Sequence, residues 1–325
     1  MVVRFLRSHQ WLYDQLMANA RPPTTFTWAG QHDDADITIY SLPPWPEPDT
    51  QSLRMLTAKD LSRLYLYSQY DEGWFWAPGV FTAASDRCPP EIAGGFYVSH
   101  DEFSPEGVGA RIDASRDRAP ALLWSFVGEL RTAPTLRGAL IELDDPRAES
   151  RAATRALTLP PDERMRLEMQ YVDTLTRSLF VACPKGYCPT SRRLFETMRA
   201  GRVPVVISDT WRPPPLIDWD SCSIRLAEND VTNLPEILRE REPDAEELGR
   251  RAREIWEQRF SPQGMVHQLV ETCMMLDAER PRPTRRLGLA LRALPTVGAR
   301  RALGRIVKPR VAAAREHLGM RSSSF

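Results

Sequence analysis

Apolar and polar positions along this chain fall into short apolar runs separated by amphipathic stretches. Ile37-Thr-Ile-Tyr40 alternates, is β-branched and stops before Pro43-Pro44, so it reads as a strand. Leu64-Tyr-Leu-Tyr67 and Gly95-Phe-Tyr-Val-Ser99 read the same way. Leu122-Leu-Trp-Ser-Phe-Val127 is almost continuously apolar, the pattern of a parallel strand covered on both faces. Over 162–177, Met165, Leu167, Met169, Val172 and Leu175 recur at near-helical spacing. Strands at 179–182, 203–207 and 223–226 then alternate with helices at 191–200, 233–241, 244–260 and 264–277. Gly201 is the expected stop of the 191–200 helix. Residues 1–20 read as a helix or a strand and helix, and 58–63 and 135–143 as helices. Such alternation implies parallel sheet with right-handed crossovers.

A length of 325 residues suggests about two domains. With 42% apolar and 26% charged residues the chain buries a core, which excludes a disordered protein. No apolar run approaches the ~18 residues of a membrane span. Arg4, Arg7, His9 and Asp14 interrupt the first 20 residues, so a signal peptide is not expected. The expectation is a soluble protein on the cytoplasmic side. Cys88, Cys183, Cys188, Cys222 and Cys273 form no C-x-x-C pair and read as reduced thiols rather than zinc ligands.

Net charge is zero, but segment 280–325 holds twelve basic residues against Glu316 alone. That local +11 leaves −11 on the rest of the chain. Leucines such as Leu287, Leu291 and Leu303 interleave with the arginines, as in basic amphipathic segments on anionic membranes. Folding back on the acidic body is the alternative. The remainder has no basic-aromatic pattern, and nucleic acid is not an expected partner.

Ligands of open α/β sheets bind beyond the carboxyl ends of strands. One such end runs from Phe180 through Pro184-Lys-Gly-Tyr-Cys-Pro-Thr-Ser191 into a helix. Thr190 and Ser191 supply capping hydroxyls, and free N–H groups there attract anions. Lys185, Arg192 and Arg193 add positive charge, and Glu196 shares a helix face with at least one arginine. A diphosphate at the arginines and a sugar hydroxyl at Glu196 satisfy this set; an ordinary Arg–Glu surface pair leaves the same spacing. The other end is Gly128, followed by Arg131 and Arg137. Glycine there lets backbone approach a ligand, and guanidinium matches phosphate geometry.

Pro184-Lys-Gly, Ser191-Arg-Arg-Leu-Phe-Glu196, Gly201-Arg-Val-Pro-Val-Val-Ile-Ser-Asp209 and Ile217-Asp-Trp219, in that order, resemble the exostosin-family glycosyltransferases over roughly 120–240. Ser178-Leu-Phe, Phe126-Val-Gly128 and Arg137 extend the resemblance. It implies an α/β fold of GT-B type: two Rossmann-like domains with parallel sheets facing a cleft, plus the basic C-terminal appendage. The implied division is an acceptor domain over 1–160, a nucleotide-sugar domain over 161–279 and the tail over 280–325. It implies inverting transfer from a nucleoside diphosphate sugar, UDP-linked by first expectation, to a saccharide or lipid-linked acceptor. Ser191 and Arg193 match the phosphate-contacting Ser and Arg, and Glu196 the Glu near ribose or sugar. Gly128 and Arg131 are expected to face the donor across the cleft. No D-x-D motif occurs, since Asp33-Asp34 and Asp144-Asp145 are bare pairs, so no metal cofactor is expected.

An acceptor hydroxyl needs a base. Asp101 and His100, after the expected strand 95–99, are the first candidates, and Asp71 and Glu72 follow. Trp74, Phe75 and Trp76 are candidates for stacking on sugar rings. A fucosyltransferase-type enzyme using GDP-fucose, a silent sugar- or nucleotide-binding module, and an adaptor working through its tail are the other readings. The membrane reading of the tail has a direct check. Full-length protein should co-sediment with anionic liposomes, and a variant ending at 279 should not; equal sedimentation would refute it.

Overall fold

The apolar runs pair into two all-parallel sheets. The computed structural model describes residues 1–6, 10–19, 22, 25–31, 33–42, 57–71, 73, 75–97, 104–153 and 159–279. The first sheet holds β1 (Val2–Leu6), β2 (Thr27–Trp28), β3 (Ile37–Ser41), β4 (Leu64–Ser68), β5 (Gly79–Phe81) and β6 (Ile92–Gly94). Their order is β2-β1-β3-β4-β5-β6. The second holds β7 (Leu122–Gly128), β8 (Ala148–Ala152), β9 (Ser178–Pro184), β10 (Val203–Ile207) and β11 (Ile224–Leu226), in the order β11-β10-β9-β7-β8. Counted from its own first strand, each sheet begins 2-1-3-4-5. Winding therefore reverses direction beside the first strand of each, where a crevice opens at the carboxyl ends.

The helices are α1 (Gln10–Asn19), α2 (Ala58–Ser62), α3 (Val108–Ser115), α4 (Pro134–Glu142), α5 (Pro161–Thr176), α6 (Arg192–Arg199), α7 (Leu234–Arg241), α8 (Ala245–Ile255) and α9 (Met265–Ala278). One π-helical turn, Trp256–Phe260, extends α8. No helix among the described residues is long and apolar enough to cross a membrane. The architecture is the expected GT-B-like one, with two parallel-sheet units across a cleft. All five cysteines are free thiols, and four of them are buried.

The division of the chain differs from the expected boundary at 160. Strands β7 and β8 pair into the second sheet, so the chain leaves the first sheet between Gly94 and Leu122. Helix α9 then returns to the first unit, packing on α1, β3 and β5, and the Tyr65 hydroxyl donates to Asp277 at 2.8 Å. The boundary expected at 160 falls between β8 and α5, which both belong to the second unit. The strand expected at 95–99 lies earlier, at Ile92–Gly94. Strand β8, Ala-Glu-Ser-Arg-Ala, was illegible as a strand because it is an edge strand with no apolar face. The tail 280–325 lies outside the described residues.

The two units meet through stacked aromatics. Phe260 of the π turn lies 5.5 Å from Phe96, 4.8 Å from Phe195 and 6.1 Å from Trp219, which stands edge-on to Trp211 at 5.0 Å. Arg212 of the second unit points its Nη1 at the carbonyls of Cys88, Pro89 and Ile92 of the first, at 3.0, 2.8 and 2.6 Å. Helix α6 ends as expected. Gly201 has φ of +66°, its N–H reaches the Met198 carbonyl and that of Arg202 the Thr197 carbonyl, the paired bonds of a Schellman stop. A methyl at Gly201 would meet nothing closer than 3.7 Å, so its cost is backbone strain alone. Gly201→Ala should lose about 1–2 kcal/mol, and a thermal melt should fall by roughly 2–8 °C. An unchanged melting temperature would contradict this account of the stop.

Candidate functional site

The crevice of the second sheet lies where β7 ends at Gly128 and β9 ends at Pro184. Arg137, projecting from α4, fills it. Its Nε donates to the Lys185 carbonyl (3.0 Å), Nη1 to that of Glu129 (2.7 Å) and Nη2 to that of Pro184 (3.3 Å). Burial, then the neighbouring Arg193 charge, draw its pKa down to about 10, which leaves it charged at neutral pH. Arg137 thus fastens the two strand-end loops together.

Arg193 lies beside it, on the first turn of α6. Its Nη2 donates to the Val127 carbonyl, and its guanidinium stands 5.0 Å over the Phe126 ring and 6.0 Å from that of Tyr171. The other two donor atoms, Nε and Nη1, are buried without a hydrogen-bond partner. A buried donor left unpaired costs about 1–3 kcal/mol, more when charged. Gly128 makes room for this arrangement: a Cβ there would sit 2.7 Å from Arg193 Nη2 and 2.9 Å from the Phe126 ring.

The helix start is open. Ser191 takes the N-cap position with extended backbone (φ −99°, ψ 132°), but its side chain makes no capping bond. The Thr190 hydroxyl is likewise buried and unpartnered. The expected hydroxyl cap is therefore not made, and the first-turn N–H groups remain available to an anion. The expected Arg–Glu pair is not made either. Arg192 turns outward, 5.5 Å over the Tyr97 ring, while the Glu196 carboxylate accepts the Tyr171 hydroxyl.

These groups line one cavity of about 970 Å³ between the units. Gly128, Arg131, Arg137, Ser191, Arg192, Arg193 and Glu196 all reach it. Arg131 pairs with Glu129 at 2.9 Å, which raises its pKa, and lies 5.8 Å over the exposed Tyr187 ring. Lys185 does not line the cavity. Its ammonium is drawn to Glu228 at 2.5 Å, and Glu228 and Asp209 exchange backbone N–H bonds at 3.1 and 2.9 Å. This cluster braces the ends of β9 and β10.

The first unit contributes Asp71 and Tyr97. The Tyr97 hydroxyl lies 3.0 Å from Cys188 Sγ and donates to the Thr190 carbonyl at 3.2 Å. Burial pushes the Cys188 thiol up to about 12, so it stays protonated. His100, Asp101, Glu72 and Trp74 lie outside the described residues. Phe75 and Trp76 do not face the cavity; Phe75 stands edge-on to Phe81 at 4.9 Å, and both pack on the first core. Tyr97, Tyr171 and the Arg111–Glu168 pair (2.9 Å) belong to the site without any sequence signal, because distant elements bring them there.

Residues 99–241 match the family model of the Exostosin GT47 domain. An exostosin-1 homolog of Caenorhabditis elegans is 45% identical over 71 residues, 21% of this chain and 19% of that one. The probable glucuronoxylan glucuronosyltransferase IRX7 of Arabidopsis thaliana is 40% identical over 83 residues, 24% of this chain and 18% of its own. The chain thus spans about a fifth of the length of these curated relatives. Among solved structures, a glycosyltransferase from Rickettsia africae aligns over 85% of this chain and 98% of its own, with 9% identity and a TM-score of 0.39. Anabaena Alr3699/HepE in complex with UDP and glucose aligns over 86% and 100%, with 11% identity and a TM-score of 0.37. The matched stretch, 99–241, is the one that carries the second sheet and helix α6, so the likeness to the Exostosin GT47 domain falls on the half of the cleft that holds Arg193 and Glu196.

Proposed function

We propose that this protein is a glycosyltransferase that takes a sugar from a nucleoside diphosphate carrier and passes it, with inversion, to a hydroxyl of a saccharide or lipid-linked acceptor. The observation that carries the reading is the Arg193 guanidinium, buried with two unpartnered donor atoms beside the uncapped start of α6. A diphosphate supplies the acceptors that this set lacks, and planar guanidinium and phosphate bond in matched geometry. The same groups then stabilise the charge that grows on the diphosphate as its bond to the sugar breaks. Arginine and helix N-terminus do this work without a divalent ion in the proposal. Glu196, one turn along α6 and held by Tyr171, is suited to a ribose or sugar hydroxyl. Relatives named as glucuronosyltransferases make UDP-sugars the first donors to try.

A thermal-shift screen of UDP-, GDP-, TDP- and CMP-sugars tests this, with EDTA present. At a hundredfold excess over Kd a ligand should stabilise the fold by about 2.7 kcal/mol. One nucleotide class should raise the melting temperature by several degrees. Arg193→Ala should fold normally and weaken that ligand ten- to hundredfold, the ~1.5–3 kcal/mol of hydrogen bonds to a charged group. No shift with any nucleotide sugar, or a full shift in Arg193→Ala, would end the reading. Gly128→Ala should also weaken binding, because its methyl displaces the Arg193 guanidinium; calorimetric Kd values equal to wild type would show that the guanidinium's position is unimportant.

A further inference from the structure

A transferase also has to take a proton from the acceptor hydroxyl, and the arrangement of carboxylates around the cleft bears on which group does so. Five described carboxylates line it: Asp71, Glu106, Glu129, Glu168 and Glu196. Three are engaged. Glu129 accepts from Arg131 at 2.9 Å. Glu168 lies 2.9 Å from Arg111 and 3.7 Å from Arg164. Glu196 accepts the Tyr171 hydroxyl and lies on the same helix as Arg193, on the side proposed for the donor. A carboxylate committed to a guanidinium is a poor proton acceptor, since protonation breaks a charge-assisted bond. Asp71 and Glu106 have no cationic partner among the described residues.

These two differ in place. Glu106 lies just before α3, on the segment that enters that helix. Asp71 lies just beyond the carboxyl end of β4, on the first unit, and lines the same cavity as Gly128 and Arg193. It sits beside the Cys188 thiol and the Tyr97 hydroxyl, and its charge helps to hold the protons on both. Tyr97 in turn donates to the Thr190 carbonyl, next to the open start of α6. Cys188 and Tyr97 thus place the Asp71 carboxylate beside the 188–190 segment that leads into α6, with no guanidinium or ammonium paired to it among the described residues.

We propose that Asp71 is the base that activates the acceptor, an assignment that rests on the glycosyltransferase reading above. Asp71 takes the proton of the acceptor hydroxyl and becomes a carboxylic acid. The freed oxygen pair forms the bond to the anomeric carbon. The bond from that carbon to the diphosphate oxygen breaks, and its electron pair leaves with the diphosphate, which meets Arg193 and the N–H groups of α6. The first unit supplies the base and the second holds the leaving group, so chemistry requires both faces of the cleft.

The test measures donor binding and diphosphate release separately, in the full-length chain. The probe is whichever nucleotide sugar stabilises wild type most, with water as acceptor and then with excess azide, a nucleophile that carries no proton to remove. Asp71→Asn should keep the full thermal shift, lose diphosphate release about 10²–10⁴-fold in water, and regain it with azide. A control at the solvent-exposed Asp117, Asp117→Asn, should stay within threefold of wild type. Release by Asp71→Asn within threefold of wild type would overturn the assignment, as would loss of release in Glu106→Gln or Asp101→Asn in its place. A wild type that binds donor but releases no diphosphate under either condition also overturns it, while leaving the binding reading intact. A wild type that binds no nucleotide sugar removes both.

Discussion

Everything at the site depends on guanidinium groups fastened to backbone carbonyls at the point where the second sheet reverses its winding. Arg137 holds the carbonyls of Glu129, Pro184 and Lys185, and Arg193 holds that of Val127. Parallel strands leave carbonyl oxygens unpaired at their carboxyl ends, and these arginines satisfy them. The bonds also fix two like charges side by side in a buried place. That arrangement is costly on its own, and the proposed diphosphate would offset the cost.

The two strand ends were readable from their apolar runs, but their order was not: Gly128 and Arg131, expected across the cleft from the 184–196 loop and helix, follow a strand that pairs directly with β9 in the same sheet. Gly128, Ser191, Arg193 and Glu196 were legible because each stands at or near such an end. What they do there was less so. Glu196 and the two arginines have pair spacing on a helix, yet Phe126 and the Val127 carbonyl take Arg193 and Tyr97 takes Arg192. Ring faces and a backbone carbonyl hold these cations, whereas a solvent-screened Arg–Glu pair is worth little. Lys185 failed for the same kind of reason: Glu228, 43 positions further on, outcompeted the cleft for its charge.

The first unit was harder to read. Its strands β5 and β6 have three residues each and contain glycine, so they carry little periodic signal. The aromatic residues at 75 and 76 suggested a sugar platform but are core, because a short-stranded sheet needs large side chains to cover its edge. Tyr97 and Asp71 enter the cleft from loops whose positions are set by packing between the units, a quantity no local pattern encodes.

The return of α9 to the first unit makes the second unit an insertion, joined to its host by two separate crossings of the chain. A body hung on a single strand can swivel about any axis through that strand. One hung on two can rotate freely only about the line that passes through both, so the two crossings leave a single rocking direction open to any relative movement of the units. The aromatic stack at Phe260 lies close to the second crossing, and through Phe195 it reaches the helix that carries Arg193, so the pivot and the anion side of the cleft share one short rigid element.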